Sequence, residues 1–135
     1  MVMVCINCGS KTKITNSRFN VKTVQTWRRH TCTQCRTMFT TREFIDSSVS
    51  YRVLRPDSSL QPLMRELLFV SVHESLSHRK DAPETAAALT DTILGKIHAN
   101  KSLIIDITWL TIKTHEILRR FDKPAAVRYK AMYMS

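Results

Sequence analysis

Apolar and polar residues alternate along the first third of the chain and then change period. Over 11–18 and 23–31, Thr, Val, Ile and Trp are interleaved with polar residues, the period-two pattern of half-buried strands. Residues 38–44 form a third strand candidate, with Phe39 and Phe44 placed to pack near a turn, and 49–54 a fourth after Asp46-Ser47-Ser48. From Leu60 the period becomes helical. Residues 60–77 are expected as a helix with Pro62 in its first turn and an apolar face of Leu63, Met64, Leu67, Leu68 and Val70. Asp81-Ala82-Pro83 opens a second helix, whose Ala86, Leu89, Ile93, Leu94 and Ile97 recur at helical spacing. Asp106 caps a third, with Ile107, Leu110, Ile117, Leu118 and Phe121 on one face, and Asp122 a fourth over 123–134. The pattern predicts an α+β chain, a small strand ribbon over 1–46 followed by a compact four-helix domain over 47–135.

Composition narrows the function. A chain of 135 residues with 43% hydrophobic and 24% charged positions is globular. It has no run near the roughly 20 apolar residues of a membrane span, and Met1–Val4 is too short for an export signal. A cytoplasmic protein without a membrane role is expected. The two glycines, Gly9 and Gly95, are too few for a glycine-rich phosphate loop. No nucleophile–base pair is visible, so the chain is not read as an enzyme. His73, His78, His98 and His115 share no ligand spacing with a carboxylate and are read as surface or boundary residues.

Charge and cysteine both concentrate at the start. The net charge is +10, and residues 1–42 hold eight bases and no acid, against thirteen bases and eleven acids afterwards. The first third is therefore the part shaped for a polyanion, with double-stranded DNA the expected partner. The four cysteines also lie there, as Cys5-Ile-Asn-Cys8 and Cys32-Thr-Gln-Cys35. Two residues between each pair let both thiolates of a turn face one tetrahedral ion, and a closed four-thiolate set fits structural zinc. A reducing compartment disfavours disulfides. His30, two residues before Cys32, is surplus to a filled site. A ribbon this small has little core, so metal binding is expected to supply much of its folding free energy.

Several stretches together resemble the NrdR family, zinc-ribbon repressors of bacterial ribonucleotide reductase genes that carry an ATP-cone. They are Cys5-x-x-Cys8-Gly9, Asn16-Ser17-Arg18, Arg28-Arg29 before Cys32-x-x-Cys35, Phe39-Thr40-Thr41 with Glu43, and the closing Phe121-Asp122-Lys123-x-Ala125-x-x-Arg128-Tyr129-x-x-x-Tyr133. Phage late-gene activators share only the first half of this pattern. The resemblance implies DNA contacts by Arg18, Arg28 and Arg29, since Arg presents a planar fork to phosphate or guanine. Lys11, Lys13, Lys22 and Arg42 would add general phosphate attraction. Trp27 is read as a cover over a metal knuckle, with base stacking the alternative.

The resemblance also implies an ATP-cone-like helical domain that sets the oligomeric state, with Val53, Arg55 and Asp57 as nucleotide-binding positions. The chain departs from the family there. Pro56 and Ser58 stand where the family has arginine and glycine, Gln61-Pro62-Leu63 replaces its acidic-Pro-Phe, and Leu67 replaces a lysine. ATP or dATP binding is accordingly expected to be weak or absent. The reading is a zinc-dependent, DNA-binding transcriptional regulator acting as a homo-oligomer, encoded by a bacterium, phage or plasmid. Its alternatives are a ribbon that binds RNA polymerase or another protein, and a nucleotide-sensing repressor with a working cone.

Overall fold

The computed structural model describes residues 3–134; Met1, Val2 and Ser135, at the ends of the two expected domains, lie outside the described residues. The chain divides into two compact units, Met1–Ile45 and Asp46–Ser135.

In the first unit the alternating segments form β1 (Thr12–Asn20), β2 (Gln25–Cys32) and β3 (Met38–Phe44), an antiparallel sheet in the order β1-β2-β3. Each strand is shifted by a residue or two from its expected limits except β3. The turn 21–24 between β1 and β2 contains Val24 at φ 54, an uncommon conformation for a β-branched residue. A bulge lies between Ile14 and Asn16, where Thr15 reaches across to Thr31.

The second unit is mixed rather than purely helical. Asp46 accepts from the Ser48 amide and caps a one-turn helix, α1 (Ser47–Ser50), where a turn over 46–48 and a strand from Val49 were expected. Strand β4 (Arg52–Leu54) then pairs antiparallel with β5 (Leu60–Pro62) and parallel with β6 (Ile104–Asp106). The expected helix from Leu60 is thus corrected: residues 60–62 are an edge strand and α2 spans Arg65–Ser75. Pro62 lies opposite Arg52 at that edge, where a residue without an N–H is tolerated. The apolar face of α2 is corrected too. Leu68, Val72 and Ser75 are its buried positions, while Leu67 is 69% and Val70 46% exposed.

The remaining helices are α3 (Ala82–Ala99), α4 (Ile107–Phe121) and α5 (Lys123–Tyr133). Asp106 closes β6 and caps α4 through the Thr108 and Trp109 amides. Asp81 makes no cap bond; its carboxylate pairs with Arg79 at 2.8 Å. Val72, Leu76, Ile93, Ile97, Ile105 and Leu118 are fully buried together beside Val53, and burying one such side chain contributes about 1.5–3 kcal/mol. Polar groups at the edge are matched. Asp122 accepts from the Ala125 amide at 3.0 Å, His78 at 3.0 Å and Arg79 at 3.1 Å, tying the loop after α2 to the start of α5. Tyr51 bonds His98 at 2.8 Å.

Candidate metal centre and nucleic-acid interface

Two knuckles converge at one end of the first unit. The Gly9 amide donates to the Cys5 carbonyl at 3.0 Å and the Cys32 amide to the Thr37 carbonyl at 2.9 Å, so each Cys-x-x-Cys is wound into a tight turn. The knuckles are stitched together by Lys11, whose carbonyl accepts the Thr33 amide at 3.1 Å and the Thr33 hydroxyl at 3.0 Å. As a result the Sγ atoms of Cys5, Cys8, Cys32 and Cys35 all lie within 4.8 Å of one another. Cys5 and Cys35 are 3.6 Å apart and Cys8 and Cys32 3.5 Å. A tetrahedron of thiolates about 2.3 Å from zinc has edges of about 3.8 Å, whereas a disulfide needs about 2.05 Å. The donor set therefore fits a metal ion such as zinc and does not fit two disulfides.

The surroundings favour thiolate at the two exposed cysteines, Cys8 and Cys35. The Thr37 hydroxyl and amide, with the Asn7 side chain behind them, hold Cys35 down at about 5. The Ser10 hydroxyl and amide lower Cys8. Burial pushes Cys32 up, against the Cys35 and Gln34 amides that donate to its sulfur at 3.4 and 3.3 Å. Asn7 and Thr37 carry no ligand signature of their own, and only their place beside a cysteine marks them. His30 is outside the cluster: the residue is 2% exposed, and its ring stacks on Phe39 at 5.1 Å and bonds Thr41 at 2.8 Å.

Strand register sorts the basic residues into two faces, because consecutive side chains point to opposite sides. On one face Arg18, Trp27 and Arg42 form a cross-strand row, with Asn16, Arg29 and Thr40 as the next row and Lys13 beyond. Arg29 lies over the Trp27 ring at 5.4 Å. Among the described strand residues, none on that face is acidic. The other carries Thr26, Arg28 and His30, and there Arg28 is paired with Glu43 at 3.1 Å. The adjacent Arg28 and Arg29, read together in the sequence, are thus separated by the pleat. Trp27 is five residues from Cys32, about 16 Å along the strand, which removes it from the metal knuckle and leaves it among the arginines. Lys11 precedes β1, and Lys22 sits in the far turn, its amide donating to Asn20 at 2.9 Å.

In the second unit Val53 is buried in the core, while Arg55 and Asp57 stand on the exposed hairpin turn between β4 and β5. Asp57 accepts from the Ser59 amide at 3.0 Å and hydroxyl at 2.6 Å, bonds that lower its carboxyl below the usual value. Ser58 takes φ 68, so the left-handed turn is kept without glycine. Among the described residues no helix is long and apolar enough to cross a membrane.

Fold and site together define a mixed α+β protein with a small antiparallel sheet and a four-cysteine cluster near its N-terminus. Comparison with known proteins finds similarity that runs along nearly the whole chain. Over 132 residues the chain is 24% identical to the transcriptional repressor NrdR of Halomicrobium mukohataei, an alignment covering 97% of this chain and 81% of that protein. No family profile matches the chain.

Proposed function

We propose that the chain is an NrdR-like transcriptional regulator that binds double-stranded DNA through a zinc-stabilised ribbon. The observation that carries this reading is the acid-free sheet face holding Lys13, Arg18, Arg29 and Arg42 around Trp27. A face that gathers several cations suits a phosphate backbone, and two strands of the ribbon are narrow enough to enter the major groove. The nearly full-length likeness to a transcriptional repressor supports the same class. Cys5, Cys8, Cys32 and Cys35 would hold the zinc, which supplies a rigid crosslink and no reaction. Trp27 and Arg29 would sit nearest the bases, while Arg28, held by Glu43, would stay off the DNA. The hairpin over 55–59 serves as a structural turn, its one carboxylate satisfied by Ser59.

Titration of a duplex with the zinc-loaded full chain across a salt series tests this. Four phosphate contacts predict a slope of log affinity against log salt of about −3.6. Arg29→Ala should reduce the slope by about one contact, and Arg28→Ala should leave it unchanged. Equal losses from both variants would refute the assignment of the face. A chain that retains no duplex at low salt would replace it with a protein-binding ribbon.

A further inference from the structure

One groove on the second unit carries charge that nothing in that unit answers. It runs between α4 and α5, floored by Ala126, Val127 and Ala131 and rimmed by His115, Arg119, Lys123 and Lys130. Among the described residues none of these four rim side chains makes an ion pair, and no acidic residue lines the groove. The nearest acids are spoken for: Glu116 pairs with Lys113, and Asp122 with His78 and Arg79. An apolar floor between cations is the complement of a helix with an apolar strip between acids.

The same unit displays such a helix. Glu66, Val70 and Glu74 follow one another at four-residue spacing, and Leu67 stands three residues before Val70, so the four form the exposed stripe of α2. Leu67 and Val70 are left bare, at 69% and 46% exposure, between the two carboxylates. Glu74 accepts a bond from the Tyr133 hydroxyl, and His73 beside it is stacked on Phe69. Arg65, at the start of α2, is paired with Asp91. From Glu66 to Glu74 the stripe is about 12 Å long, and from Lys123 to Lys130 the groove is about 11 Å. Charge, apolar content and length all match.

We propose that the groove between α4 and α5 receives the α2 stripe of a second copy of this chain. Groove and stripe are different patches, so the contact is heterologous and each copy keeps one groove and one stripe to offer onward. Such a contact builds a ring or a growing chain rather than a closed two-fold pair. Apolar contact of Leu67 and Val70 with Val127 and Ala131 would supply the attraction, and Glu66 opposite Lys123 or Lys130 the direction. The proposal needs no DNA and stands apart from the ribbon reading.

Sedimentation velocity of the zinc-loaded full chain without DNA tests it, using a charge swap at exposed positions. Lys123→Glu with Lys130→Glu makes the groove acidic, and Glu66→Lys makes the stripe basic. The parent chain is expected to assemble at micromolar concentration, less so in high salt. Each variant alone should associate at least tenfold more weakly, with an unchanged helical circular dichroism signal. Mixed in equal amounts the two variants should assemble again, because every groove then finds a stripe of opposite sign. A monomeric parent chain, variants that assemble as the parent does, or a mixture that stays dissociated would each overturn the proposal. Loss of duplex affinity in the groove variant with no change in mass would also overturn it, and would assign the groove to phosphates.

Discussion

Each metal knuckle ends on a residue in the left-handed region, Gly9 at φ 77 and Arg36 at φ 66, each directly after the second cysteine of its pair. The two turns do the same job with different residues, which makes them a matched test of backbone strain. An L-residue held there costs about 1–2 kcal/mol relative to the right-handed region. Glycine escapes that cost but loses more freedom on folding, by about 0.5–1 kcal/mol. The difference leaves about 0.5–1 kcal/mol in favour of glycine at both sites. A Cβ added at Gly9 meets no atom within 4 Å, so no steric clash confuses the result. Arg36→Gly should therefore stabilise the zinc-bound ribbon and Gly9→Ala destabilise it by the same amount. Because metal binding and folding share one free energy in so small a unit, zinc affinity should move about two- to fivefold, up in the first and down in the second. Competition with a chromophoric chelator, on reduced full-length protein, reads both. Arg36→Ala controls for the lost charge, since it keeps the strained Cβ and should give no gain. If Arg36→Gly weakened zinc binding, or Gly9→Ala left it unchanged, strain at these positions would not govern the site.

Zinc chelation should abolish the strand signal of the first unit while the helical circular dichroism of the second persists, because the buried cluster of apolar side chains lies wholly in the second. Simultaneous loss of both would show that the second unit depends on the first. Asp122→Ala removes an α5 cap, worth about 1 kcal/mol, together with the acceptor for His78 and Arg79, so thermal melting should fall by several degrees. The same carboxylate makes stability pH-dependent. Burial pulls Asp122 upward, but the Ala125 amide, His78 and Arg79 together outweigh it and hold the group below its ordinary 3.8. Its contribution is therefore present above that value and is lost as pH falls through the lower folded-state value. A melting temperature that falls with acid as steeply in Asp122→Ala as in the parent chain would remove Asp122 from the account.

Local chemistry was readable wherever neighbours in sequence are neighbours in space. The paired Cys-x-x-Cys turns, the strand 38–44, and the starts of α3, α4 and α5 after Asp81, Asp106 and Asp122 follow from spacing, capping and proline placement within a few residues. Tertiary structure decided what depends on a distant partner. Residues 60–62 and 104–106 are strands because each lines up with β4, and three residues are too short to declare a period of their own. The buried side of α2 was misread because Leu67 and Leu68 are equally apolar, and only packing in the core selects Leu68. The pleat of β2 separates Arg28 from Arg29, but only the register of β2 against β3 brings Glu43 within reach of Arg28. Composition marks the first third as the cationic part of the chain, but a face exists only once strands are paired, since pairing is what turns alternation along the chain into two opposite surfaces.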